Sequence, residues 1–141
     1  MPELMGAYMK IDGGCHCGFI SYEAEVDPAA VCVCHCTDCQ TLSGSAFRTT
    51  VRATEGSFKV LSGKPKMYVK TAESGNRRVQ LFCPKCGTPI CATAAGGRDP
   101  ISLRVGTARQ RSELIPKKQI WFRSAQQWLN ELSSVPTAQK E

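Results

Sequence analysis

No apolar run in the chain approaches the roughly 18 residues that a membrane-spanning helix needs, so an integral membrane protein is not expected. Like charges never gather into a run of five, and aromatic residues make up only 7% of the sequence. Internal repeats and low-complexity stretches are also missing, which excludes a solenoid array and a long disordered segment. Residues 1–10 lack a basic leader and a long apolar core, so no secretory signal is expected. Nine cysteines in 141 residues fall below the roughly 8–10% typical of a small secreted disulfide scaffold. Their number is also odd. The expectation is a reducing, cytoplasmic setting, where clustered cysteines more often serve metals or catalysis than disulfides.

What remains is an ordinary globular composition, 42% hydrophobic and 21% charged, of a length that suits one domain. The formal net charge of +6 and a pI of about 8.9 would suit anionic partners. The basic residues are scattered, however, with Arg77-Arg78, Lys117-Lys118 and the stretch of Arg104, Arg109 and Arg111 the nearest to clusters. A nucleic-acid partner is therefore not expected.

Short β-type segments separated by turn residues dominate. Residues 19–26 alternate, with Ile20, Tyr22, Ala24 and Val26 on one side and Phe19, Ser21, Glu23 and Glu25 on the other. This period of two predicts a half-buried strand ended by Asp27-Pro28. Further strands are predicted over 30–34, 46–52, 57–61, 89–93, 101–105 and 119–122, with a hairpin of 66–71 and 77–82 around Glu73-Ser74-Gly75-Asn76. Helical patterning is confined to the end. Ser124 and Gln127 form a capping-box pattern, and Ala125, Trp128, Leu129 and Leu132 share one helical face. A short amphipathic C-terminal helix over 125–132 is expected, docked on the sheets with Trp128 in the core.

Seven cysteines fall into three tight groups: Cys15-His16-Cys17, Cys34-His35-Cys36-Thr37-Asp38-Cys39 and Cys83-Pro84-Lys85-Cys86-Gly87. Tetrahedral zinc, with Zn–S near 2.3 Å, needs sulfurs about 3.8 Å apart, so its ligands come in close local pairs. C-x-x-C meets this in a tight turn, and Gly87 supplies the positive φ of such a knuckle. C-x-C meets it in extended chain, where i and i+2 share a face. A pair plus a pair makes a closed, structural site, and a triplet leaves one position open, as catalytic zinc requires. Spacing does not say which pair joins which; Cys15/Cys17 with Cys83/Cys86 is the economical pairing because it keeps the triplet whole. The alternatives are two structural sites completed by Cys32, Cys91, His35 or His16, disulfides, and a redox role for Cys83/Cys86. The last lacks the βαβ context it would need. Cys32 shares strand parity with Cys34 and would flank the second site, whereas Cys91 reads as a buried small hydrophobe.

The order of these groups resembles the glutathione-dependent formaldehyde-activating enzyme (GFA) family, which also includes centromere protein V. The likeness covers Gly13-Gly14-Cys15-His16-Cys17-Gly18 with Tyr22, the Cys34 to Gln40 block with Ser43-Gly44 and Phe47, Phe82 to Gly87, and Pro116 through Ile120 to Trp128. The resemblance implies a mainly β fold, a β-tent of several small curled antiparallel sheets held by zinc. Its domain would span 13–132, after a lead-in over 1–12 and before a polar tail over 133–141. It also implies two zinc ions per chain, a structural one on Cys15, Cys17, Cys83 and Cys86 and a catalytic one on Cys34, Cys36 and Cys39. The implied activity is condensation of glutathione with formaldehyde, a carbon–sulfur lyase reaction. A non-catalytic interaction module with two structural zincs, nearer to centromere protein V, is the alternative. The chain departs from relatives at Ala108-Arg109, where they often carry Leu-Asp, and at Gln119, where they often carry His.

Chemically, three thiolates on Zn²⁺ leave a formal −1 that can hold an incoming thiol deprotonated for attack on an aldehyde. Arg48 and Arg52, just after the triplet, are candidates to meet substrate carboxylates. Asp38 is expected to cap the zinc loop rather than shuttle protons. With seven ligating thiolates and two Zn²⁺ the formal charge of +6 falls to about +3, so the basic excess offsets zinc–thiolate charge.

Overall fold

The computed structural model describes residues 8–96 and 100–141, so the first part of the expected lead-in lies outside the described residues. Ten strands appear: β1 (Met9–Gly14), β2 (Ser21–Val26), β3 (Cys32–Cys34), β4 (Arg48–Arg52), β5 (Lys59–Ser62), β6 (Lys66–Thr71), β7 (Arg77–Phe82), β8 (Pro89–Ala94), β9 (Ser102–Arg104) and β10 (Lys118–Ile120). One α-helix, α1 (Thr37–Ser43), follows β3. The strands form a three-stranded sheet, β1-β2-β5, and a seven-stranded sheet, β10-β3-β4-β9-β8-β7-β6. The protein is mainly β, as its alternation predicts. Among the described residues all strand pairings are antiparallel save β10 on β3, which is parallel. No helix among the described residues is long and apolar enough to cross a membrane.

One apolar cluster joins the two sheets. The inward side of β2 (Tyr22, Ala24, Val26) meets Val51 of β4, Cys91 of β8 and Leu103 of β9, with Ile20, Val31 and Ile90 filling the turns. Tyr22 is fully buried, and its hydroxyl is satisfied at 2.8 Å by Thr107 Oγ1. Because antiparallel partners share a face, the register Val51↔Leu103↔Cys91 defines the core side of the larger sheet. The intervening residues Cys34, Arg48, Arg104, Gln80 and Tyr68 fall on the opposite side. Burial pushes the Cys91 thiol up to about 12.

Two elements carry little sequence signal. In β1 only Ile11 is buried, so no alternation marks it. Its glycines are there for contact: a Cβ at Gly13 would sit 2.1 Å from the carbonyl oxygen of Thr107. Helix α1 spans seven residues with no buried one, too short for a hydrophobic stripe.

The C-terminal α-helix expected over 125–132 is not formed. Residues 122–124 make a 3₁₀ turn that leaves Ala125 extended at ψ 145°, and a second 3₁₀ helix spans Gln127–Ser134. Ser124 lies inside the first turn and so cannot cap the second, and Gln126, which precedes it, makes no side-chain cap. Trp128 and Leu132 are about half exposed and do not join the core. Two of the four residues on the anticipated stripe, Ala125 and Leu129, are partly buried.

Gly13→Ala, which forces backbone against backbone, should lower unfolding stability by about 1–3 kcal/mol, while Trp128→Ala should stay within about 0.5 kcal/mol, both read by urea denaturation. Cys91 remains protonated when folded but ionises near its ordinary value of about 8.5 when unfolded. Stability present below that pH is therefore lost as pH rises towards about 12, and Cys91→Ala should flatten the decline between roughly pH 9 and 11.

Candidate metal centres

The turn between β1 and β2 carries Cys15 and Cys17, and the turn between β7 and β8 carries Cys83 and Cys86. Gly87, at φ 83°, closes the second turn through its amide on the Cys83 carbonyl. The four sulfurs come together: Cys15 to Cys17 is 3.6 Å, Cys17 to Cys83 is 3.8 Å, and all four lie within 4.8 Å of one another. Those separations match the edge of a ZnS₄ tetrahedron, about 3.8 Å. Backbone amides point at the sulfurs, Ile20 to Cys15 (3.1 Å) and Lys85 and Cys86 to Cys83 (3.3 and 3.4 Å). Amide donors favour thiolate over thiol. Thr88 ties the two turns together, its hydroxyl 3.2 Å from Cys86 Sγ and accepting the His16 amide at 3.1 Å. The Thr88 hydroxyl, with its backbone, lowers Cys86 to about 5. His16 itself is exposed and takes no place in the sulfur group.

The second group gathers Cys34, Cys36 and Cys39, again within 4.8 Å. Cys34 ends β3, Cys36 is the residue before the first turn of α1, and Cys39 lies in that turn. Cys36 Sγ accepts the Cys39 amide at 3.2 Å, so the thiol itself caps the helix. Asp38 therefore does not cap the loop as expected; it sits in the first helical turn and pairs with Lys70 Nζ of β6 at 2.7 Å. Cys39 is lowered to about 5, first by the hydrogen bond with Cys34 and then, against burial, by the charge of Arg48. Cys34, the donor of that pair and itself buried, is pushed up.

Neighbouring residues separate clearly from the triplet. His35 is buried and turned away, its Nε2 2.8 Å from Gln119 Oε1 and its ring edge-on to Phe47 and Phe122. The Gln119 departure thus supplies His35 with an acceptor, leaving buried Nδ1 unpartnered. Cys32 Sγ lies 3.6 Å from Val33 O and stays outside the group. All nine cysteines are free thiols. Gln40 Nε2 reaches both His35 O (2.7 Å) and Ser124 O (3.0 Å), fastening the closing segment onto α1.

Two cavities flank α1. A small one, about 150 Å³, is walled by Cys36, Asp38, Lys70, Glu73, Trp121 and Arg123. Trp121 holds φ 54°, a left-handed conformation costly for a bulky side chain, with Arg123 stacked 4.9 Å over its ring. The second, about 340 Å³, is walled by Leu42, Arg48, Tyr68, Gln80, Phe82 and Pro89. Arg48 is buried there, whereas Arg52, four residues on, is exposed and lines neither. Gln80 and Lys70 were not singled out by sequence, and Arg104 was noted only for basic charge, since a polar residue in a β-strand carries no site signal by itself. The Arg109 departure lies elsewhere, paired with Asp12 of β1 at 2.7 Å, and no residue of 106–109 lines these cavities.

Among curated proteins none is significantly similar to this chain. A crystal structure of a Rhodobacter sphaeroides protein, a structural-genomics target, has a TM-score of 0.57 at 20% identity over 77% of this chain and 98% of that one, which shows a shared fold. The family model for the glutathione-dependent formaldehyde-activating enzyme matches residues 10–124, a span that includes all seven clustered cysteines. With most of its length matched, the chain belongs to the glutathione-dependent formaldehyde-activating enzyme family.

Proposed function

We propose that the protein is a zinc-dependent carbon–sulfur lyase that condenses a glutathione-like thiol with formaldehyde or a related aldehyde. Family membership supports a function of the glutathione-dependent formaldehyde-activating type. The observation that carries the finer reading is a three-sulfur group of which Cys36 walls a cavity, with no fourth Cys, His, Asp or Glu ligand atom drawn to it among the described residues. In this reading Cys15, Cys17, Cys83 and Cys86 hold a structural zinc, and Cys34, Cys36 and Cys39 hold a second one. Zinc on the triplet would supply an open Lewis-acidic position that keeps a thiol deprotonated near neutral pH. Free thiols throughout suit a reducing cytoplasm.

The chain's own groups fit the remaining needs. His35, committed to Gln119, does not compete for the open position. The cavity at Cys36 has room for a small aldehyde. Attack forms the S–C bond while the carbonyl π pair moves to oxygen, and that oxygen must gain the proton the thiol gave up. Lys70, anchored by Asp38 on that wall, is the cation placed to stabilise the alkoxide and return the proton. Arg48, beside Cys39, offsets the negative charge that collects on the sulfurs.

Metal analysis of reduced protein should give two zinc per chain. Cys36→Ser should bind about one zinc, keep its fold by circular dichroism and lose formation of the S-hydroxymethyl adduct from glutathione and carbon-labelled formaldehyde. Cys83→Ser should unfold, because structural zinc contributes on the order of 10 kcal/mol of folding free energy. Two saturated zincs with no adduct formation by the unaltered protein would instead favour the interaction-module reading. Adduct formation undiminished by Cys36→Ser would sink the catalytic assignment.

A further inference from the structure

The larger cavity is walled by a buried cation that has no carboxylate partner among the described residues. Arg48 and Arg104 are both more than nine-tenths buried, at 6% and 9% exposure. Among the described residues no carboxylate pairs with either, the ion pairs being Lys70–Asp38 and Arg109–Asp12. The two guanidinium groups share one neutral acceptor, Gln80 Oε1, at 2.7 Å from Arg104 Nη2 and 3.5 Å from Arg48 Nη1. The Nε of each is buried without a partner. Buried charge left this way is costly, because a guanidinium offers five N–H donors and loses its water shell. Cys39 faces Arg48 but supplies only one sulfur acceptor.

Gln80 sharpens the picture. Its carbonyl oxygen is held towards two cations, so its Nε2 must occupy the other side of the amide, and Gln80 itself walls the cavity. Arg104 does not line that cavity. It acts as a positioning residue, fixing which way the Gln80 amide points. Arg48 has a long bond to Gln80 and the Cys39 sulfur beside it, and keeps an unpartnered Nε and a place on the wall.

We infer that Arg48 and the Gln80 amide form a carboxylate-binding position in the cavity between α1 and β6–β7, and that it takes the carboxylate end of the thiol substrate. The identity of the ligand as a thiol rests on the function proposed above; the carboxylate position does not. One guanidinium edge plus one amide N–H matches the two oxygens of a carboxylate. Leu42, Phe82 and Pro89 on the same wall suit the hydrocarbon stem, and would leave the outer oxygens of a phosphate dianion unpaired. Arg48 lies beside Cys39 of the triplet and also walls this cavity, so the carboxylate position adjoins the sulfur group.

The test uses zinc-loaded protein and proton–nitrogen correlation spectra of the arginine Nε–H groups, whose buried members at Arg48 and Arg104 are assigned with Arg48→Lys and Arg104→Lys. Four probes are titrated: mercaptoacetate, mercaptoethanol and the S-methyl derivative of each. Both carboxylates should shift the Arg48 Nε–H resonance saturably and bind roughly tenfold tighter than the matching alcohols, thiol free or blocked. Gln80→Glu, which supplies an internal carboxylate, should abolish that preference with zinc content unchanged. Equal binding of acid and alcohol in both pairs, or no Arg48 response, overturns the inference while leaving the thiol chemistry open. Persistence of the carboxylate preference in the S-methyl pair, with no thiol turnover, supports the position and removes the lyase reading instead. Loss of zinc in Gln80→Glu together with an unchanged acid preference would show that the cluster serves the metal centre alone, and also overturns it.

Discussion

Bringing four thiol sulfurs to within 4.8 Å of one another, from turns far apart in sequence, is the constraint on which the rest of this structure depends. Cys17 and Cys83 are separated by 66 positions yet lie 3.8 Å apart. Thiolates at that distance repel, so the geometry is stable only where a cation or shared protons hold them, and where amides and hydroxyls point inwards. The sheets exist in the register that makes this possible. β1 and β2 present one knuckle, β7 and β8 the other, and Thr88 joins them through the His16 amide. A chain of this size gains a fixed corner between its two sheets from that arrangement, beside an apolar core that links them.

The second consequence follows from the two-residue period of the larger sheet. One face supplies Val51, Cys91 and Leu103 to the core. The other carries Cys34, Arg48, Arg104, Gln80 and Tyr68, and α1 lies against it through the Asp38–Lys70 pair. Chemistry and folding are thus kept on opposite sides of the same strands. The cost of that polar face is two buried arginines whose charge meets only an amide and the sulfur group. A site with unspent cationic donors beside a potential metal thiolate centre is well suited to an anionic ligand.

Arg109 and Gln119, singled out in the sequence, both have structural partners in this chain. Arg109 pairs with Asp12 at the edge of β1, close to where Gly13 meets Thr107 without a side chain between them. Gln119 accepts from His35 and so helps hold the residue between Cys34 and Cys36 with its ring away from the triplet.

Much of this was legible beforehand where the physics is local. Alternation marked β2, the hairpin of β6 and β7 has the bounds the turn residues imply, and close cysteine pairs announced two sulfur groups. Where packing decides, the chain was silent or misleading. β1 buries one residue, α1 none, and the 125–132 periodicity is helical in pattern only, because the 3₁₀ turn before it leaves no residue able to cap an α-helix. Spacing could not choose which cysteine pairs meet, nor could it show Asp38 reaching Lys70 or Gln80 standing between two arginines. The sequence by itself determined the ligand chemistry, since residue type and near-neighbour spacing are written along the chain. Only the tertiary structure decided which sulfurs converge and which cations are buried beside them, because those depend on strand register across distant segments.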